Sequence, residues 1–430
     1  MSDTRQLCTS CGSEIPETDP HTRCPRCRGL LEVHHRPPAG AGGGGGALRA
    51  TFDARWGVRR GVLASGVWRY REAVLPSAAP EEVLSYPEGN TPLLTSPAVA
   101  RWAGALDGAL LLKHEGQNPT GSFKDRGMTV GVTQARRIGA RAVACASTGN
   151  TAAALAAYAA LGGLPALVLV PKGHVALGKL AQALAYGART LLVRGNFDQC
   201  LELADQASER LGVYLLNSVN PFRLEGQKTI LLELLQQLAW QPPDWIVVPA
   251  GNLGNTAAFG KALAEACEWG LIDRLPRLAA VQAEGAAPFA LSFREGFARR
   301  HQVEPHTVAT AIQIGNPVSY DRAVRAVRDT DGVVIAVPDD EILEAKAVVD
   351  GAGIGCEPAS AAAIAGTRRL ARDGVIKSTE RVVAILTGHV LKDPASVTDY
   401  HQERDPAPPH ANRPTEIDPR LEEVERAMNR

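Results

Sequence analysis

Lys124 lies in the segment KHEGQNPTGSFKDRG (113–127), where Asn118-Pro119-Thr120-Gly121 reads as a turn. Ser122, three residues before Asp125, reads as a capping box and predicts Lys124 in the first turn of a helix. The positive end of a helix dipole disfavours an ammonium there, and burial does the same. Both lower the pKa of the amine and leave a nucleophile able to form a Schiff base. Taken alone, this segment fits an ordinary surface lysine near a helix start equally well.

Two loops change that balance. Ser147-Thr148-Gly149-Asn150-Thr151 follows the apolar run AVACA and opens a helix, so its hydroxyls and N–H groups can hold a carboxylate or phosphate. Gly251-Asn252-Leu253-Gly254-Asn255 follows WIVVPA and opens another, its glycines letting backbone N–H groups approach an anion closely. One glycine-rich turn after a strand is common for packing reasons. Two of them with a helix-start lysine describe a site for a phosphorylated cofactor and an anionic substrate. A dinucleotide reading is weaker, because no G-x-G-x-x-G follows the first strand of the α/β region; Gly351-Ala352-Gly353-Ile354-Gly355 follows a helix pattern and reads as a turn.

A separate chemistry opens the chain. Cys8-x2-Cys11 and Cys24-x2-Cys27 supply two chelating knuckles, and four thiolates close a tetrahedral shell, so the expected ion is a structural zinc. So short a module cannot fold on an apolar core alone and needs the metal. A redox dithiol is the alternative. His34 and His35 read as exposed linker histidines, and Cys145, Cys200, Cys267 and Cys356 as buried reduced thiols.

These groups need a frame. The 430 residues are 45% hydrophobic and only 5% aromatic, rich in the small residues that suit helix-on-sheet packing. Apolar runs at 109–113, 142–146, 166–171, 190–194, 245–250, 333–337 and 382–386 alternate with amphipathic stretches. That pattern predicts an α/β fold of open, mostly parallel sheets with ligands at the strand C-terminal ends. The expected organisation is a zinc ribbon at 1–36 and a Gly/Pro linker at 37–48. A catalytic region of two α/β subdomains follows at 49–400, the smaller at roughly 130–220, then a loose polar tail at 401–430. Lys plus Arg and Asp plus Glu are 46 each, which gives no electrostatic reason to expect nucleic acid or an anionic membrane. No run is long and apolar enough to span a bilayer and no signal peptide is visible, so the expected location is the cytoplasm.

The blocks EGNTPLL (88–94), KHEGQNPTGSFKDRGM (113–128), ASTGNTAAALAAYAA (146–160) and NSVNPFRLEGQKT (217–229) resemble the threonine synthase family. So do PAGNLGN (249–255), TAIQIGNP (310–317), EPASAA (357–362) and LTGHVLKDP (386–394), in family order across nearly all of 85–395. The resemblance implies a fold type II pyridoxal 5′-phosphate enzyme with the cofactor between two α/β domains. It also implies conversion of O-phosphohomoserine and water to threonine and phosphate. By that resemblance Lys124 carries the cofactor, Asn150 meets its 3′-oxygen, Gly251 to Asn255 cradle its phosphate, and Thr387 faces its pyridine nitrogen. A neutral hydroxyl there leaves the nitrogen largely unprotonated and the ring a weaker electron sink. The resemblance also implies a second anion site, for the substrate phosphate, at Asn217, Ser218 and Arg223 with help from Thr151 and Asn252, and Ser147 and Thr148 are the other substrate-binding candidates.

The implied reaction uses the freed Lys124 amine to move protons from Cα and Cβ, expels phosphate from Cγ and adds water at Cβ, with the departing phosphate as a base for that water. The expected assembly is a homodimer. Two departures from the family pattern, Pro87 before EGNTP and Tyr320 after GNPVS, bear on the pocket rim. The rival readings are a cysteate synthase-like enzyme using O-phosphoserine and a non-catalytic zinc-ribbon scaffold.

Overall fold

Apolar runs bounded by glycine and proline become the strands of three sheets in the computed structural model, which describes residues 4–38, 45–173 and 177–429. At the N-terminus, β1 (Thr4–Cys8), β2 (Glu14–Pro16) and β3 (Leu31–His35) form an antiparallel ribbon in the order β2-β1-β3. Strands β4 (Leu93–Thr95) and β5 (Leu110–His114) follow, then β6 (Ala142–Ala146), β7 (Ala166–Pro171), β8 (Arg189–Val193) and β9 (Val213–Leu215). The last four are β10 (Trp245–Pro249), β11 (Arg277–Ala283), β12 (Val333–Val337) and β13 (Val382–Leu386).

Strands β6 to β9 pair in parallel as a four-stranded sheet, β8-β7-β6-β9. The other six form a larger sheet, β12-β11-β10-β13-β5-β4, parallel except at its β4 edge. Both sheets are helix-covered, and β6, β10 and β13 are buried along their whole length, as parallel strands covered on both faces must be. This is the α/β architecture the periodicity predicts.

The sequence patterns missed β4, β9 and β11. Strand β11 is central, yet RLAAVQA places an amide near its end. Gln282 is fully buried there, donating to the Ala250 carbonyl at 3.1 Å and accepting from the N–H groups of Phe289 and Ala290 at 2.8 and 3.0 Å. A satisfied amide can sit in a core.

Three other expectations change. The linker expected at 37–48 is interrupted by a helix, Gly46–Ala54, whose Leu48 and Phe52 lie four apart and are both buried. Burial of two such side chains contributes about 1.5–3 kcal/mol each, enough to anchor a segment that the glycine run masks. Residues 42–44 of that run lie outside the described residues. His35 is not an exposed linker histidine, since it ends β3 with its ring 1% exposed, 2.9 Å from a Glu225 oxygen and 2.9 Å from the Thr4 hydroxyl. Cys267 is exposed, while Cys145, Cys200 and Cys356 are buried as expected. Tyr400, just before the tail, is buried, and within the tail Leu421–Met428 forms an exposed helix.

Candidate active site

The loops after β5, β6, β9, β10 and β13 converge from both sheets on one cavity of about 800 Å³. Every cofactor- and substrate-binding residue predicted from the sequence lines it: Lys124, Ser147, Thr148, Asn150, Thr151, Asn217, Ser218, Arg223, the run Gly251 to Asn255, and Thr387. Convergence at strand C-terminal ends is the general rule for open α/β sheets.

Lys124 is the first residue of helix Lys124–Arg137, as its spacing predicts, but the capping box does not form. Asp125 instead turns back to the preceding loop, its carboxylate accepting from the Thr120 N–H at 2.7 Å and the Thr120 hydroxyl at 2.5 Å. The Phe123 N–H donates to the Thr387 carbonyl at 3.0 Å and the His389 N–H to the Gly121 carbonyl at 2.9 Å, which ties the lysine to the end of β13. Burial lowers the Lys124 amine to about 7; the Arg223 guanidinium pushes the same way and Glu357 opposes. Its Nζ stands 4.2 Å from the Phe123 ring centroid. Near pH 7 a large share of the amine is therefore unprotonated and able to act as a nucleophile.

Arg223 enters from helix Pro221–Gln237, which Asn220 caps through the Phe222 and Arg223 N–H groups and Pro221 opens. The guanidinium is buried; Nη1 donates to the Leu216 carbonyl at 3.0 Å, while Nε and Nη2 have no partner. Buried donors are nearly always satisfied, so these two are free to take an anion in the cavity. Asn217 plays a different part: its amide accepts from the Ala146 N–H at 2.9 Å and donates to the Ala146 carbonyl at 3.0 Å, locking its loop to the end of β6.

The loop after β10 makes a second anion pocket. Leu253 adopts φ +63°, a left-handed residue immediately before helix Gly254–Glu268, and this turns successive N–H groups toward one side. A Cβ on Gly251 would stand 2.9 Å from the Ile312 Cα, so only glycine lets these chains pass so closely. The Asn255 carbonyl oxygen and the Thr256 hydroxyl are buried without partners at this helix start. Asn252 holds the loop by accepting from the Val318 N–H at 3.3 Å.

The sequence reading missed Glu357, Ser360 and Lys392. Asn150 donates to Glu357 at 2.9 Å, and the Thr387 hydroxyl lies 3.3 Å from Glu357 and 3.0 Å from the Ser360 hydroxyl. Burial raises the Glu357 carboxyl above the usual range. Lys392, paired with Gln182, also lines the cavity, and burial lowers its amine. The signal lay in EPASAA and LTGHVLKDP, whose charged residues the reading left without a role. Neither Pro87 nor Tyr320 reaches the cavity; Tyr320 packs edge-on against Phe289, 5.5 Å between ring centroids, in a separate core.

In the ribbon, the sulfurs of Cys8, Cys11, Cys24 and Cys27 lie within 4.8 Å of one another, with Cys8–Cys27 at 3.4 Å and Cys11–Cys24 at 3.7 Å. A tetrahedral ion bound at about 2.3 Å sets sulfurs about 3.8 Å apart, so the cluster fits one zinc-sized ion. Its apolar cluster is small: Cys8, Ile15, Cys24 and Leu31.

Residues 84–388 match the family of pyridoxal-phosphate dependent enzymes. The chain is 44% identical over 423 residues to a threonine synthase from Methanosarcina acetivorans, covering 98% of each chain. It is 50% identical over 334 residues to one from Methanocaldococcus jannaschii, covering 76% of this chain and 81% of that one. Among solved structures, threonine synthase from Escherichia coli superposes with a TM-score of 0.69 at 18% identity, over 95% of this chain and 93% of that one. Maize serine racemase gives 0.62 at 22% identity, over 77% and 94%. At these identities the two structures speak for the fold alone.

Proposed function

Because the chain belongs to the threonine synthases within the pyridoxal-phosphate dependent enzymes, we propose that Lys124 and Arg223 divide the conversion of O-phosphohomoserine and water to threonine and phosphate between them. One observation carries this division: a lysine held near neutrality shares a cavity with a buried arginine that has two unspent donors. The cavity offers pyridoxal phosphate the donor set it needs, with an amine to link to and the Gly251 to Asn255 turn for its phosphate. Asn150 and Thr387 reach its ring. When bound, the cofactor supplies an electron sink for the substrate's Cα and Cβ.

The residues then have distinct tasks. Lys124 takes a proton from Cα and another from Cβ and returns one at Cγ and one at Cα; a pKa near neutrality suits both directions. Arg223 holds the substrate phosphate through Nε and Nη2, stays with it as the Cγ–O bond breaks, and keeps it from leaving before water adds at Cβ. Glu357 accepts one Asn150 amide proton and so fixes the direction of the other. Ser360 holds the Thr387 hydroxyl in place. Ser147, Thr148 and Thr151 line the wall where the substrate carboxylate fits, at the start of helix Asn150–Gly162.

The four cysteines bind a structural zinc in the same proposal, and elemental analysis of purified protein tests it. Homodimeric assembly, tested by sedimentation, and a cytoplasmic location complete it; among the described residues no helix is long and apolar enough to cross a membrane. The deciding assay feeds O-phosphohomoserine and O-phosphoserine separately to the holoenzyme. Release of phosphate with threonine from the first supports the reading. Turnover of O-phosphoserine alone moves it to the shorter substrate, and a protein without a borohydride-sensitive yellow colour sinks it.

A further inference from the structure

A second cavity, of about 310 Å³, lies between the cysteine ribbon and the helices Gly254–Glu268 and Tyr320–Asp329. Arg322 lines it and is 3% exposed. Its Nη2 donates to the Leu31 carbonyl at 2.5 Å, while Nε and Nη1 have no hydrogen-bond partner. The nearest carboxylate, Glu32, stands 3.9 Å from Nε and is already engaged by Arg325. Lys261, on the facing helix, is likewise engaged by Glu225 and the Val33 carbonyl. The inner charges therefore pair off and leave one buried guanidinium with two unspent donors. At the exposed part of the lining stand two carboxylates, Glu268 and Asp329.

Arg322 thus stands with unspent donors at the buried part of the lining, while Glu268 and Asp329 outnumber Arg325 at the exposed part. Arg322 keeps one unspent donor on each side of the Nη2 that Leu31 occupies, so a carboxylate oxygen can take Nε or Nη1, and the two acidic residues attract an ammonium toward the exposed lining. The ion that satisfies both levels carries the two charges on one small body. We propose that this cavity binds a free α-amino acid, with its carboxylate on Arg322 and its ammonium toward Glu268 and Asp329. The site is separate from the catalytic cavity and shares none of its lining residues.

Calorimetric titration of the holoenzyme tests it, after borohydride reduction so that Lys124 cannot exchange with an added amine. The probe is L-alanine, with propionate and ethylamine as its two halves. The expected result is saturable binding of L-alanine, with each half weaker by at least about tenfold. R322Q weakens L-alanine by at least about tenfold, and the E268Q/D329N double variant weakens L-alanine while leaving propionate unchanged. The double variant is at the surface and serves if R322Q does not fold. Absence of saturable heat means that the cavity holds only water and overturns the proposal. Unchanged binding in R322Q places the probe in the catalytic cavity and overturns it too, and propionate binding as tightly as L-alanine overturns the zwitterion in favour of a plain carboxylate.

Discussion

Two groups of buried cations share helix Lys124–Arg137 and its neighbours, and they are built in opposite ways. In the first, Lys113 and Arg126 are fully buried between Glu115 and Glu233. Arg126 grips Glu115 through Nε and Nη2 at 2.7 and 2.8 Å, and Glu233 through Nη2 at 2.9 Å, while Lys113 meets Glu233 at 2.6 Å. Glu233 also accepts from the N–H groups of Asn90 and Thr91, so two cations and two anions close on themselves. In the second, Lys124 and Arg223 face a cavity, and among the described residues no carboxylate is paired with either. The same residue types thus do opposite work. Where every donor is spent, a buried charge is scaffold; where donors are left over, it is waiting for a ligand.

Four experiments press on this contrast. The largest effect is expected for Lys124→Ala, which removes anchor and proton carrier together and lowers kcat by on the order of 10⁴-fold or more. Mass spectrometry after borohydride would then show no cofactor on the chain; a retained adduct would move the anchor elsewhere. Next, Glu233→Ala strands two buried cations and should cost about 3–5 kcal/mol of stability by urea unfolding. A loss under 1 kcal/mol would mean that the network is not the scaffold its geometry suggests. Arg223→Met should do the reverse: stability unchanged or raised, since no committed pair is lost, with KM for the phosphorylated substrate up by about 100-fold. The smallest effect is in pH. Lys124 titrates near 7 in the folded chain against an ordinary 10.5, so between these values the unfolded chain holds a proton that the folded one has shed. Stability of the cofactor-free protein should therefore rise with pH across that window, and Lys124→Met should flatten the rise in urea midpoints.

The contrast also explains what could be read from the sequence. Strand runs and helix periodicity gave the α/β class, and the glycine-rich turns gave the anion pockets, because both follow from local pattern. Which charged residues of a motif serve chemistry does not. Lys113, Glu115 and Arg126 stand in the same block as Lys124 and Glu88 opens another, yet their side chains close on Ser65, Tyr158, Glu233 and each other. Glu357 went the other way, overlooked because a carboxylate before a proline looks like a helix start until Asn150 is seen to lean on it. Most of the partners that decide these roles stand outside the block, up to 207 residues away, and local pattern carries no record of them. His35 was misread for the same reason, since Glu225 lies 190 positions further on.

The ribbon's anchors carry one more consequence, for the order in which the molecule is made. Arg28 pairs with Asp205 and Glu209, Glu17 with Arg137, His35 with Glu225, and Glu32 with Arg325, across separations reaching 293 positions. A chain synthesised from its N-terminus completes the four-cysteine module long before most of these partners exist. If the cysteines hold the proposed zinc, that ion keeps the ribbon folded while the rest of the protein emerges, and docking is complete only once Arg325 is made. On that proposal, metal supply during synthesis, more than affinity in the finished protein, would govern how much of the chain reaches its final form.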